Sequence, residues 1–273
     1  KEKFPERYIE LGVAEHNMAT VAAGLANYGK IPFISSYAVF SPGRNNEQIR
    51  TTISINNVPV KIAGAHAGIS VGPDGATHQA LEDIALMRVQ PNMTVLVPCD
   101  AIETQKATIA LVDKCSGPAY LRFGREKSPV FTTEKTPFEI GKAIILRQGK
   151  DLTIVGCGML LYNALVAAEE LSKENIEATV INSHTIKPLD ISTIINSVKE
   201  TKAVVTVEEH QVMGGLGSAV AEVLSQHFPV PQEFIGVHDR FGESGEPDEL
   251  IEHFGMGVKD IKAAAMRVIK RKS

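Results

Sequence analysis

Three short runs hold side chains whose types and spacing could do chemistry. The first is Gly12-Val13-Ala14-Glu15-His16-Asn17-Met18, where a strand-like stretch gives way to a helix-like one. Parallel sheets build their sites at such post-strand junctions, and a carboxyl there can hold or pass a proton. The plainer account of Glu15 is an acid in a first helical turn, favoured by the helix dipole. The second run is Ser35-Ser36-Tyr37-Ala38-Val39-Phe40. Aromatics three apart share a face if the backbone is helical, and core packing is their usual meaning. In a chain with 5% aromatics and no Trp, the pair could equally wall a flat pocket for a ring. The third run, Gly64 to Gln79, spreads four glycines and a proline around His66, Asp74 and His78. Long loops in compact domains are usually functional or disordered. Asp74-Gly75 alone is an ordinary turn. Together the two histidines and the aspartate could grip a polyhydroxy substrate through hydrogen bonds. A metal reading is weaker, because loop-borne ligands at wide spacing fix no coordination geometry.

These runs need a scaffold, and the chain supplies alternating strand and helix patterns. The pattern predicts strands at Tyr8–Val13, Pro32–Ser36, Val58–Ala63, Thr94–Val97 and Ala119–Phe123. It predicts helices at Glu15–Tyr28, Arg44–Asn56 and Thr77–Val89, and one opened by Asp100 with Glu103 as a capping box. Between about Glu126 and Glu139 periodicity fades among Ser, Thr and Pro, as in a linker. A second block follows, with strands at Leu152–Cys157, Glu177–Ile181, Ala203–Glu208 and Phe234–Val237. Its helices are expected at Leu160–Leu171, Gly217–His227 and Asp260–Lys270. Alternation of this kind predicts an α/β fold with a parallel sheet in each block. Gly156-Cys157-Gly158 lacks the third glycine of a dinucleotide fingerprint, since that position is Leu161. Arg122, near the end of a predicted strand, and Arg125, just past it, suit surface salt bridges, which are common and weak.

Composition narrows the classes. The chain has 273 residues, 44% of them hydrophobic, enough for two domains with their own cores. A net charge of -4 gives no electrostatic footprint for nucleic acid. Three cysteines at irregular spacing make neither a disulfide framework nor a zinc site, and favour a reducing, cytoplasmic setting. No apolar run is long enough to span a bilayer, and no signal peptide is visible. The chain opens on Lys1-Glu2-Lys3-Phe4-Pro5 without a Met, which points to a preceding segment.

Taken in order, the motifs resemble those of transketolase. The match comprises Gly12-Val13-x-Glu15-His16, Tyr37 and Phe40, Asp74-Gly75-Ala76-Thr77-His78-Gln79, Pro91-Asn92-Met93-Thr94 with Pro98-Cys99-Asp100, and Asp239-Arg240-Phe241-Gly242-Glu243-Ser244. The similarity runs nearly end to end and is greatest to the two-chain transketolases, in which this half is a separate polypeptide. The resemblance implies a pyrimidine-binding domain over residues 1–128 without its first strand–helix unit, a linker over 129–138 and a transketolase C-terminal domain over 139–273.

The resemblance also implies roles. Glu15 would meet the aminopyrimidine of thiamine diphosphate and relay the proton that activates the cofactor. That role asks for a carboxyl buried against apolar surface, with a raised pKa. Tyr37 and Phe40 would pack on the pyrimidine, and a third aromatic of the family is replaced here by Gly43. His66, Asp74 and His78 would hold the sugar, with His78 near the reacting carbonyl, and Arg125, with Arg122 as a nearby alternative, would bind its phosphate. The activity implied is transfer of a two-carbon ketol group from a ketose phosphate to an aldose phosphate, as in the pentose phosphate pathway.

No Gly-Asp-Gly occurs, so the diphosphate and Mg²⁺ are expected on a separate N-terminal subunit. The expected assembly is two copies of each chain. No metal ligand is assigned to this chain. Alternatives are a deoxyxylulose-phosphate synthase-like or 2-oxoacid dehydrogenase β-like subunit, or a non-catalytic partner of the same fold.

Overall fold

Apolar, β-branched segments build two five-stranded sheets in a computed structural model that describes residues 1–272. The first block contributes β1 (Phe33–Tyr37), β2 (Lys61–Ala65), β3 (Thr94–Leu96) and β4 (Ala119–Arg122). All pair in parallel, in the order β1-β2-β4-β3. The second block contributes β5 (Ile144–Arg147), β6 (Leu152–Gly156), β7 (Ala178–Asn182), β8 (Thr185–Lys187), β9 (Val204–Gln211) and β10 (Gln232–Val237). Its sheet runs β10-β9-β6-β7-β5, parallel except for β5 at one edge. The α/β class with mostly parallel sheets is therefore as the alternation predicts.

The helices are α1 (Glu15–Asn27), α2 (Asn46–Gln48), α3 (Asp83–Arg88), α4 (Ala101–Asp113), α5 (Leu161–Ser172), α6 (Ile191–Thr201), α7 (Leu216–His227), α8 (Pro247–His253) and α9 (Val258–Lys270). They cover sheets whose central strands are buried: every residue of β4, β6 and β7 is enclosed. Such strands read as continuous apolar runs because helices pack on both faces.

The sheets are not independent. Strand β8 leaves the second block and pairs antiparallel with β3, becoming the far edge of the first sheet. One hydrophobic cluster joins Val95, Val97 and Tyr120 of the first block to Cys157, Ile181 and Leu216 of the second. The segment between the blocks is tied down rather than free. Asp100 accepts hydrogen bonds from the backbone of Phe131 (3.0 Å) and from the backbone and hydroxyl of Thr132 (2.7 Å each).

Several expectations change. Tyr8–Val13 is not a strand, and a 3-10 turn at Pro5–Arg7 precedes it. A strand must pair its backbone polar groups, and among the described residues no strand lies beside this stretch. The helix expected from Thr77 begins only at Asp83. Ala80 is already committed to the loop before it, accepting from the Gly68 N–H at 2.9 Å. The helix expected at Arg44–Asn56 starts at Asn46 and passes into a π-helical turn at Ile49–Ser54. The capping box at Asp100 is half formed. Asp100 accepts from the Glu103 N–H at 2.9 Å, but the Glu103 carboxylate turns to the Cys99 N–H (2.7 Å) and to Asn182 of the second block (2.7 Å).

Candidate active site

The ends of β1 and β2 lie side by side, with Tyr37 opposite Ala65. Each strand releases its chain into a turn that carries the side chains singled out by the sequence. After β1, the N–H groups of Phe40 and Ser41 both bond to the Tyr37 carbonyl at 2.8 Å. That tight turn places the Phe40 ring 6.1 Å from the Tyr37 ring. Gly43 closes the same turn, and a Cβ there would stand 2.0 Å from the Val39 carbonyl oxygen. As folded, this turn has no room for a side chain at Gly43, the position where the resemblance led a third aromatic to be expected.

After β2, His66 sits at φ 52°, a left-handed backbone uncommon outside glycine. Its ring lies edge-on to Tyr37 with centroids 4.4 Å apart, and its Nδ1 is buried without a partner in the chain. His78 closes the group from the far end of the loop. Its ring stands edge-on to Tyr37 at 5.7 Å and to Phe40 at 5.4 Å, and its Nδ1 is 2.9 Å from the Thr77 hydroxyl. Tyr37, Phe40, His66 and His78 thus form one ring-walled group drawn from three turns. Asp74 and Arg125 form a neighbouring pair. The Arg125 Nη1 is 3.2 Å from the Asp74 carboxylate and donates to the Val71 carbonyl at 3.1 Å.

Glu15 is the first residue of α1 and is only 6% exposed. Ala14 at the N-cap offers no side-chain cap, so a remote residue anchors this helix start. Asn45, fully buried, donates through Nδ2 to the Glu15 carbonyl and to the Ser41 hydroxyl, each at 3.1 Å. The carboxylate itself does not face bare apolar surface. Its Oε2 accepts from Arg44 Nη1 at 3.2 Å, and the same guanidinium lies 4.8 Å over the Phe40 ring. Burial is therefore met as the proton-relay role demands, while an ion pair stands where an apolar wall was expected.

The second block holds the loop in shape. Glu209, at the end of β9, accepts from the Ser70 N–H at 2.6 Å. Gly68 (φ 93°) must be glycine twice over, since a Cβ there would also meet the Glu209 carboxylate at 2.4 Å. Gln79 donates to the carbonyls of Ile69 (3.0 Å), Gly72 (3.3 Å) and Glu243 (2.9 Å). Burial pushes the Glu209 carboxyl pKa up, opposed by Arg122 and the Ser70 N–H. The neighbouring Glu208 is pushed up to about 7 by burial, although it accepts from the N–H groups of Leu216 and Gly217.

Arg122 does not share the anion-binding role open to Arg125. It is 4% exposed, bonded through Nε to Asp83 at 2.7 Å and through Nη2 to the Glu209 carbonyl at 2.8 Å. Burial disfavours its charge, but Asp83 and Glu209 outweigh that and hold its pKa above the usual value. Sequence reasoning missed Arg44 and Asn45 as site residues. The available signal was a polar run, Gly43-Arg44-Asn45-Asn46, where an amphipathic helix was expected to begin.

A site at the carboxyl ends of parallel strands, walled by rings and backed by a buried carboxylate, defines a small-molecule site of the α/β enzyme type. The transketolase pyrimidine-binding domain matches residues 1–130, and the transketolase C-terminal domain matches residues 141–261. The chain belongs to the transketolase family. It is 42% identical over 272 residues to the 6-deoxy-6-sulfo-D-fructose transketolase subunit SqwH of Clostridium sp. (strain MSTE9), covering 100% of this chain and 84% of that one. It is 37% identical over 270 residues to an apulose-4-phosphate transketolase subunit of Phocaeicola vulgatus, covering 98% and 86%. A solved split-gene transketolase, described as an inactive beta4 tetramer, superposes with a TM-score of 0.94 at 46% identity, covering 100% of this chain and 87% of that one. Family membership carries thiamine-diphosphate dependence with it. Among the described residues, no helix is long and apolar enough to cross a membrane.

Proposed function

We propose that this chain is one subunit of a two-chain transketolase. Together with an N-terminal subunit it would transfer a two-carbon ketol group from an anionic ketose to an aldose phosphate. The observation that carries the reading is Glu15: a buried carboxylate at the start of α1, bridged through Arg44 to the face of Phe40. A planar nitrogen donor already makes that pair of contacts, so the place suits a flat, nitrogen-bearing ring. Glu15, Tyr37 and Phe40 would hold the pyrimidine of thiamine diphosphate. The cofactor, when bound, supplies a carbon nucleophile and a sink for the electrons of the broken C–C bond.

The chain's own residues would do the rest. Glu15 holds or releases a proton at its carboxylate. His66 has a free buried Nδ1 to offer a hydroxyl. His78 lies beside both rings, near the expected reacting carbonyl, and Asp74 accepts from a sugar hydroxyl. Arg125 presents a fork that suits a terminal phosphate or sulfonate, in keeping with the phosphorylated and sulfonated sugars named for the relatives. The diphosphate and Mg²⁺ fall to the partner, because the sequence has no Gly-Asp-Gly. Relatives named as subunits and matched over most of their length support that division. An assembly of two copies of each chain is the proposed form, and the cytoplasm the proposed setting.

Reconstitution tests the reading. This chain is mixed with an N-terminal subunit carrying Gly-Asp-Gly…Asn, thiamine diphosphate, Mg²⁺, a phosphorylated or sulfonated ketose and an aldose phosphate, and exchanged sugars are resolved by mass. Exchange is expected with the wild type, and Glu15→Gln should lower its rate by about 10²–10⁴-fold. No exchange with any ketose, or exchange indifferent to Glu15→Gln, rejects the catalytic assignment.

A further inference from the structure

We propose that Arg44 is a built-in stand-in for the cofactor's pyrimidine. It holds Glu15 and Phe40 while the chain is without cofactor, and swings out when the cofactor takes both contacts. The proposal rests on the thiamine-diphosphate reading above and adds a control step to it. The guanidinium of Arg44 is flat, carries donors along its edge and stacks through its face. Here it uses both properties at once. Nη1 meets the Glu15 carboxylate at 3.2 Å, and Cζ sits over the Phe40 ring 4.8 Å from its centroid. These are two of the groups assigned to the pyrimidine, and at Glu15 Oε2 and on that face of Phe40 the two sets of contacts exclude each other.

The arm is also built to leave. The Arg44 side chain is 45% exposed, whereas that of Glu15 is 8% exposed, so the cation reaches in from solvent and can withdraw without unpacking the core. The backbone at both ends is secured by other groups. The Arg44 N–H bonds to the Phe40 carbonyl at 3.1 Å, and Asn45, not Arg44, fastens the Glu15 carbonyl. Withdrawal of the arm therefore leaves Glu15 and the turn in place. Until then Arg44 compensates a buried carboxylate that would otherwise be unpaired, a costly state.

A competing internal contact lowers apparent affinity by the fraction of molecules in which the site is open. Removing it should therefore tighten cofactor binding. One partly exposed ion pair and one exposed cation–π contact set the size at about fivefold to tenfold. Thiamine diphosphate with Mg²⁺ is titrated calorimetrically into the assembled complex of this chain and its partner, as wild type, Arg44→Gln and Arg44→Lys. Arg44→Gln should bind more tightly by that factor. Arg44→Lys, which keeps the charge but loses the flat stacking group, should fall between the two. The gap between wild type and Arg44→Gln should shrink as salt rises and screens the ion pair. No binding to the wild-type complex would count against the thiamine-diphosphate reading itself. Binding to the wild type with equal or weaker binding to Arg44→Gln would overturn the stand-in role and leave that reading standing. Should Arg44→Gln fail to assemble, Arg44→Lys decides: binding equal to or weaker than wild type overturns the proposal.

Discussion

Gly43 shows how a single position sets the limits of the site. Its missing side chain lets the turn after β1 close on Val39, whose carbonyl oxygen would stand only 2.0 Å from a Cβ at this position. Gly43→Ala must open that turn, which carries Phe40 on one side and Arg44 on the other. The expected cost is about 1–3 kcal/mol, as for other overpacked sites, read as a lower urea midpoint at unchanged slope. Spacing alone made Tyr37, Phe40, His66 and His78 candidates, and the four rings do gather. Arg44 was not legible, because its partner Glu15 lies 29 residues away and only the turn at Gly43 brings them together.

At the scale of elements, some helix starts were legible in the sequence and others were not. Asp100 was legible as the cap of α4, while Asp190, doing the same work for α6, was not. Asp190 accepts from the Thr193 N–H (3.1 Å) and hydroxyl (2.8 Å), the Ser192 hydroxyl (2.8 Å) and the Ala143 N–H (3.0 Å). Burial alone would raise its pKa, but these donors prevail and hold it at about 2. A carboxyl depressed in the folded state stabilises above its unfolded pKa of about 3.9 and loses that contribution as pH falls toward the folded value. Asp190→Ala should cost about 1 kcal/mol at neutral pH, within the range for lost caps. The difference from wild type should narrow between about pH 4 and about pH 2. Urea titrations at stepped pH check both statements, and a gap that stays constant into acid would show that charge at Asp190 is not the source.

Across the whole molecule, one buried cation of the first block reaches a backbone carbonyl of the second. Arg122 at the end of β4 meets Asp83 of α3 and the backbone of Glu209 in β9, and Tyr120 adds a 2.6 Å bond to Asp83. Arg122→Ala would leave Asp83, 1% exposed, without its cation. Breaking one side of a buried pair typically costs about 3–5 kcal/mol. Calorimetry should show a single transition in the wild type and a markedly lower one in Arg122→Ala. A normal melting temperature in the variant would refute the stabilising role assigned to this pair.

The sequence by itself determined the alternation of strands and helices, the mostly parallel sheets and the family, because these follow from local periodicity and from motifs read in order. It also placed Glu15 at a helix start and Gly43 where an aromatic was expected. Only the tertiary structure decided that β8 crosses to the first sheet, that Glu209 and Gln79 brace the loop from Gly64 to Gln79, and that Arg44 covers Glu15. Each of these depends on which distant segments share a surface, and side-chain contacts across such distances leave no period in the chain. Tyr8–Val13 makes the same point in reverse: its residues suit a strand, but a strand exists only beside a partner.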